Sequence, residues 1–257
     1  MKIYVCVKHV PDTAVDIKVT GTNSFDESVN FVINPYDEYA VEQAVQIRDK
    51  EGEGEVVIVT VGKDAAMKSV RSALAVGGDR GILIRTDAQF LDSTLTSQAI
   101  QKAIEQDGGA PDMILTGKQS VDSEGMQMPY RLAAAFDMPA ASDAVAFSMS
   151  DGNVTVEREI GGGTREVIEM SLPCMIAATK GLNEPRYANL PGIMKAKKKE
   201  VREIDIATLD IDTSAAGTEL LELEAFPEKG DAKILEGGPG EMAEQLVQLL
   251  KDEAKVL

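Results

Sequence analysis

Tryptophan is absent from this chain of 257 residues, histidine occurs once, cysteine twice, and aromatic residues make up only 4%. Each scarcity removes a class of function. One histidine and two cysteines with no CxxC pair offer no ligand set for zinc or an iron–sulfur cluster, and no histidine-based catalytic triad. The net charge of −17, with no basic face interleaved with aromatics, argues against nucleic acid, whose phosphates reward cations. No run approaches 18 apolar residues, and the opening "KIYVCVKHV" lacks the layout of a signal peptide, so the expected location is the cytoplasm. Cys6 and Cys174 lie in apolar, strand-like runs and read as buried, reduced thiols.

What is present is the composition of a globular domain, 44% apolar and 27% charged, on a chain long enough to bury a substantial core. Charge is uneven. From Glu203 to Leu257 there are 14 acidic and 4 basic residues, net −10, whereas the other 202 residues carry −7. The C-terminal part therefore reads as a separate arm, 213–257, following a core of 1–212.

Hydrophobic periodicity gives strands at 2–7, 55–62, 81–86 and 112–117, alternating with helices at about 35–48, 64–76, 92–106 and 126–137. Asn34-Pro35 reads as an N-cap and first helical position, and Asp64 as the cap of the second helix. Continuous apolar strands between amphipathic helices predict a doubly wound, mostly parallel α/β sheet. Beyond residue 140 the runs "AVAFSMS", "NVTVEREI", "TREVIEMSL" and "CMIAAT" predict an antiparallel extension, with Gly161-Gly162-Gly163 as a hairpin turn. Regular structure fades from about 203 until a last helix within 239–257. Its apolar stripe of Met242, Leu246, Leu249 and Leu250 packs either on its own body or on a partner subunit.

No GxGxxG or GxxxxGK[ST] occurs. The fourth strand instead runs into "TGKQSVDSEGMQMPYRLAAAF", a strand, polar loop and helix start, where backbone N–H groups and the helix dipole can hold an anion. The loops near Lys8-His9, Asn34 to Asp37 and Val61-Gly62 open on the same sheet edge. Glu157, Arg158 and Glu159 read as a surface ion-pair network, with Arg158 opposite both glutamates. No residue set demands catalysis. The stretch "GLNEPRYANLPGIMKAKKKE" (181–200), too rich in Asn, Pro and Gly for regular structure, bears Leu182 on a stiffened loop before a lysine run. Leu182 is either buried at home or an anchor for a partner's pocket.

Five stretches resemble the beta subunit of electron-transferring flavoproteins: "NPYDEYAVEQAV" (34–45), "ALAVGGDRGI" (73–82), Gly117 to Asp122, Val156 to Gly163, and Leu182 to Lys199. The resemblance is close over 1–212 and loose in the arm. It implies an adenine-nucleotide-binding α/β core, an alpha subunit that holds most of a redox-active FAD, and a C-terminal arm embracing that partner. It also implies AMP as a structural ligand at Cys6, at Asn34, Pro35, Tyr36 and Asp37, at Val61, and at Ser120, Val121, Asp122, Ser123, Glu124, Gly125, Met126, Gln127, Met128, Pro129, Tyr130 and Arg131. By the same resemblance Leu182, Asn183, Glu184, Pro185, Arg186 and Tyr187 dock acyl-CoA dehydrogenases, with Leu182 as anchor, and a quinone-linked oxidoreductase accepts the electrons. Glu159 resembles an acidic residue that affects the mobile flavin domain. The helix start Met126-Gln127-Met128 departs from the Asn-Gln-Thr-like sequence of the AMP-binding branch, and Asp122 to Gln127 departs from the Asp-Gly-Asp-Thr-Ala-Gln of the electron-bifurcating branch, which holds a second FAD and oxidises NADH. Lys118 matches the AMP-binding branch. The expectation is an electron carrier with AMP, and the alternatives are a bifurcating subunit and a non-catalytic nucleotide-binding module.

Overall fold

The computed structural model describes residues 1–108, 111–225 and 232–257. Two units emerge, Met1–Leu223 and Glu224–Leu257. The first is built on a nine-stranded sheet: β1 (Lys2–Cys6), β2 (Glu55–Gly62), β3 (Arg80–Arg85), β4 (Met113–Gly117), β5 (Ala140–Ser150), β6 (Asn153–Gly161), β7 (Thr164–Ser171), β8 (Cys174–Ala178) and β9 (Val201–Asp205). Helices α1 (Pro35–Glu51), α2 (Met67–Val76), α3 (Ser93–Gln106), α4 (Met128–Ala135) and α5 (Leu190–Ala196) belong to the same unit, and α6 (Pro239–Asp252) to the second.

Spatial order across the sheet is β7-β6-β5-β8-β4-β1-β2-β3-β9. All pairs are parallel except those of β6 with β5 and β7. Strand alternation divides the apolar residues between two layers. Ile3, Val5, Val56, Ile58, Met113 and Leu115 meet Val41, Ala44, Val45, Val70 and Leu74 of α1 and α2. Tyr4, Val57, Val59, Ile82, Ile84 and Ile114 meet Ile100, Ile104 and Leu132 of α3 and α4. Burying each such aliphatic side chain contributes about 1.5–3 kcal/mol, so two dry layers hold the sheet.

Several expectations are corrected. "CMIAA" is not antiparallel: as β8 it lies inside the sheet, parallel to both β4 and β5, which is why all five of its residues are buried. Before regular structure fades, "VREID" adds β9 as a parallel edge strand on β3, which pattern alone does not assign. The stretch 181–200 does contain a helix, α5, opened by Asn189, whose side chain accepts from the Gly192 N–H, and by Pro191 in the first turn. Asp64 does not cap α2. It opens a single 3₁₀ turn (Asp64–Ala66) ahead of that helix, and its carboxylate pairs with Arg85 at 2.6 Å. Residues 9–33, unassigned from pattern, form two short hairpin-like pairs, His9–Pro11 with Phe31–Ile33 and Val19–Thr20 with Ser24–Phe25. His9 is structural there, stacked on Phe31 at 4.8 Å with Nδ1 2.7 Å from Ser69 Oγ.

The β6–β7 turn falls where expected, with Gly161, Gly162 and Gly163 all at positive φ. Arg158 stands opposite Glu166 and Glu159 opposite Arg165 across that hairpin. In the second unit none of the residues of α6 is buried, Met242, Leu246, Leu249 and Leu250 included. Residues 226–231 of the expected arm lie outside the described residues. Among the described residues no helix is long and apolar enough to cross a membrane.

Candidate functional site

From β1 the chain winds outward through β2 and β3; from β4 it winds the other way, towards β8 and β5. The crevice between β1 and β4 at their carboxyl ends is therefore the topological switch point, where open α/β sheets bind ligands. Three loops meet there: Lys8 after β1, Asn34 to Asp37 entering α1, and Lys118 to Gln127 after β4.

Asp37 ties them together. Its buried carboxylate accepts from the Lys8 N–H at 2.7 Å, from Asn34 Nδ2 at 2.9 Å and from the Gly117 N–H at 3.0 Å. Burial pushes its pKa up to about 7 against the opposing pull of those three donors. Gly117 is required for this approach, because a Cβ there would collide with Asp37 Oδ1 and stand 2.6 Å from Tyr36 Cβ. Asn34 occupies the N-cap position of α1 but makes no cap bond. Instead Nδ2 also donates to the Gln119 carbonyl at 2.8 Å, and Oδ1 accepts from the Val121 N–H at 3.1 Å. The acidic first turn, Asp37 and Glu38, complements the helix dipole in its place.

The loop after β4 is polar and exposed. Lys8 Nζ lies 2.7 Å from Asp122 Oδ2 and donates to Ser120 Oγ at 3.3 Å, and Ser120 Oγ is 2.9 Å from Ser123 Oγ. Glu124 and Met126 adopt positive φ, 48° and 53°, on either side of Gly125. That backbone turns the chain sharply into α4, and among the described residues the N–H groups of Gly125, Met126 and Gln127 have no acceptor. Gln127 holds the helix start through its Oε1, which accepts from Ser93 Oγ at 2.8 Å and from Arg131 Nη2 at 2.8 Å. Pro129 is buried beneath it, and Tyr130 donates to Ser142 Oγ at 2.7 Å. Cys6, Val61 and Met128, from three separate elements, all pack against the same apolar layer. Burial pushes both thiols, Cys6 and Cys174, up to about 12, and both are free. Lys118 pairs with Asp143 at 3.2 Å and lies 5.5 Å from the Tyr36 ring centroid.

The structure thus gathers Cys6, Asn34, Tyr36, Asp37 and the 120–131 loop around one crevice edge, and leaves Glu159 away on the outer hairpin. The segment after β8 forms a second feature. Leu182 is half-buried and packs on the core. Tyr187 is 97% exposed and Leu190, at the start of α5, 72% exposed. Sequence reasoning missed Leu190, although Asn-Leu-Pro, a cap followed by a first-turn proline, carried the signal.

Comparison with known proteins identifies the family. The family model of the electron transfer flavoprotein domain matches residues 22–209. Among similar proteins, electron transfer flavoprotein subunit beta of Bacillus subtilis is 38% identical over 261 residues, covering all of both chains. The subunit of the same name from Syntrophomonas wolfei is 37% identical over 256 residues, covering all of this chain and 98% of its own. That from Homo sapiens is 33% identical over 261 residues, covering all of this chain and 99% of its own. This chain, matched end to end by such proteins, belongs to the electron transfer flavoprotein family, among its beta subunits.

Proposed function

We propose that this chain, joined to an alpha subunit, is the beta subunit of a cytoplasmic electron carrier. It takes electrons from acyl-CoA dehydrogenases through FAD and passes them to a quinone-linked oxidoreductase, with AMP held as a structural ligand at the β1–β4 crevice. Family membership implies flavin-associated electron transfer and an alpha-subunit partner. Two free thiols, Cys174 buried and Cys6 partly buried, suit a reducing compartment.

The observation that carries the reading is the unpaired run of N–H groups at Gly125, Met126 and Gln127 ahead of α4. They lie at a helix start on the switch-point edge, where backbone donors and the dipole favour a phosphate. Methionine at 126 and 128 does not spoil this, because the donors are main-chain. Cys6, Val61 and Met128 supply apolar surface for a flat base, and the Asp37 network fixes the loops relative to one another. FAD supplies the one-electron chemistry when bound; this chain's residues position the loops and exclude water. The segment 182–194 docks the dehydrogenase, with Leu190 rather than Leu182 as anchor. Glu159 faces the flavin-bearing partner from the outer hairpin.

The test is reduction of the flavin in the complex with its alpha subunit, followed optically. An acyl-CoA dehydrogenase with its substrate should reduce it, and NADH alone should not. Rapid reduction by NADH without the dehydrogenase would replace the carrier reading with a bifurcating one.

A further inference from the structure

The docking segment is pinned at both ends of its exposed part, and the first pin is an ion pair on α1. Glu42 is 3% exposed, on the second turn of that helix. Its carboxylate accepts from Arg186 Nε at 2.8 Å, Arg186 Nη2 at 3.0 Å, the Arg186 N–H at 3.2 Å and Gln46 Nε2 at 2.7 Å. The guanidinium reaches on to Asp49 at 3.4 Å. Three residues earlier, Asn183 Nδ2 donates to the Tyr39 carbonyl at 3.0 Å and to Gln43 Oε1 at 3.3 Å, both on α1. Leu182 fixes the same stretch to the core.

The second pin is on α2. Gly192 lies so close that a Cβ would stand 2.5 Å from the Ala75 carbonyl oxygen. Arg71 donates to the carbonyls of Ala196 and Lys199, closing the C-terminal end of α5. Between these fixed points stand Tyr187 and Leu190, the two most exposed apolar residues of the segment.

A buried carboxylate is costly unless fully partnered, and an apolar pair of the same volume often serves stability as well. What such a pair gives is geometry: a planar fork on a carboxylate fixes direction as well as distance. A surface held in its bound shape loses less freedom on association.

We propose that Glu42, acting through Arg186, is a positioning residue for dehydrogenase docking, holding the segment so that Leu190 is presented in its bound orientation. This rests on the docking reading above. The same helix carries Asp37 one turn earlier, so α1 sets both the nucleotide crevice and the docking segment on one rigid element.

The experiment uses the complex with its alpha subunit as the varied substrate of an acyl-CoA dehydrogenase, comparing Glu42→Gln, Arg186→Met, Leu190→Ala and the double variant Glu42→Gln/Leu190→Ala. Arg186→Met changes the more exposed partner and tests the clamp should Glu42→Gln impair folding. Each clamp variant should raise KM about tenfold with kcat and flavin content unchanged, as expected for lost pre-organisation. On the Leu190→Ala background Glu42→Gln should add less than about twofold, because the two changes act through one contact. A KM within about twofold of the parent in both clamp variants, with Leu190→Ala impaired, would overturn the positioning role while leaving docking intact. Equal effects of Glu42→Gln on both backgrounds would also overturn it. If Leu190→Ala leaves KM unchanged, the docking reading fails and this inference with it.

Discussion

The segments after β4 and after β8 leave neighbouring parallel strands at the same edge of the sheet, yet they are built in opposite ways. After β4 the side chains are polar and exposed, and the main chain keeps N–H groups open at Gly125, Met126 and Gln127. After β8 the main chain is fastened by Asn183, Arg186, Asn189 and Gly192, and apolar side chains at Tyr187 and Leu190 are left outside. Directed backbone donors, which carry no side-chain entropy, suit a small anion. A few apolar anchors on a scaffold that cannot drift suit a protein partner. The two designs share α1, whose first turn fastens one segment and whose second turn fastens the other.

The largest effect is expected at Gly117. Gly117→Ala forces a methyl group into Asp37 and Tyr36, so it should cost about 3 kcal/mol in denaturant unfolding and lose the nucleotide. A nearly neutral result would mean that the crevice loops are not locked through Asp37.

Next in size is a pair of leucines. Leu182→Ala removes a half-buried side chain from the core and should cost about 2 kcal/mol of stability while leaving the KM for the dehydrogenase unchanged. Leu190→Ala should change stability by less than about 0.5 kcal/mol yet raise that KM about tenfold. The reverse pattern would restore Leu182 as the anchor.

A graded effect follows from Asp37, in which no single pH unit moves stability by as much as Gly117→Ala or Leu182→Ala. Its pKa rises from 3.8 to about 7 on folding, so between those values the native state holds a proton that the unfolded chain has released. Stability is then greatest below pH 3.8 as far as this group is concerned, and falls as pH rises to about 7, by at most about 1.4 kcal/mol per pH unit. Asp37→Asn should flatten that part of the stability profile. An unchanged slope would place the proton elsewhere.

The smallest effect belongs to Lys8. Its ion pair with Asp122 is exposed, so Lys8→Met should change unfolding stability by less than about 0.5 kcal/mol.

The parallel core was legible because strands such as "EVVIVTVG" are apolar on both faces and helices such as α2 carry one apolar stripe. The site loop was legible for a related reason, since a polar, glycine-containing segment between a buried strand and a helix has few other uses. Topology was less so. "CMIAA" is apolar throughout, and nothing local says whether such a run inserts parallel beside β4 or extends a hairpin; contacts over sixty residues away decide it. "VREID" alternates only weakly and gains its strand geometry from pairing with β3. At Asn34 the sequence marks a cap position correctly, but the side chain is taken by Asp37 in the same turn and by Gln119 and Val121 from a loop distant in sequence. Leu182 and Leu190 look alike as letters, and only the packing of the first against the core tells them apart.

On the proposed function the crevice between β1 and β4 holds a nucleotide by its phosphate, in a chain that serves a simple electron carrier. Denaturing the complex with its alpha subunit and counting the released nucleotides by chromatography tests it most directly. One FAD and one AMP per complex are expected. Two FAD and no AMP would contradict it and make the loop from Ser120 to Arg131 part of a second flavin site.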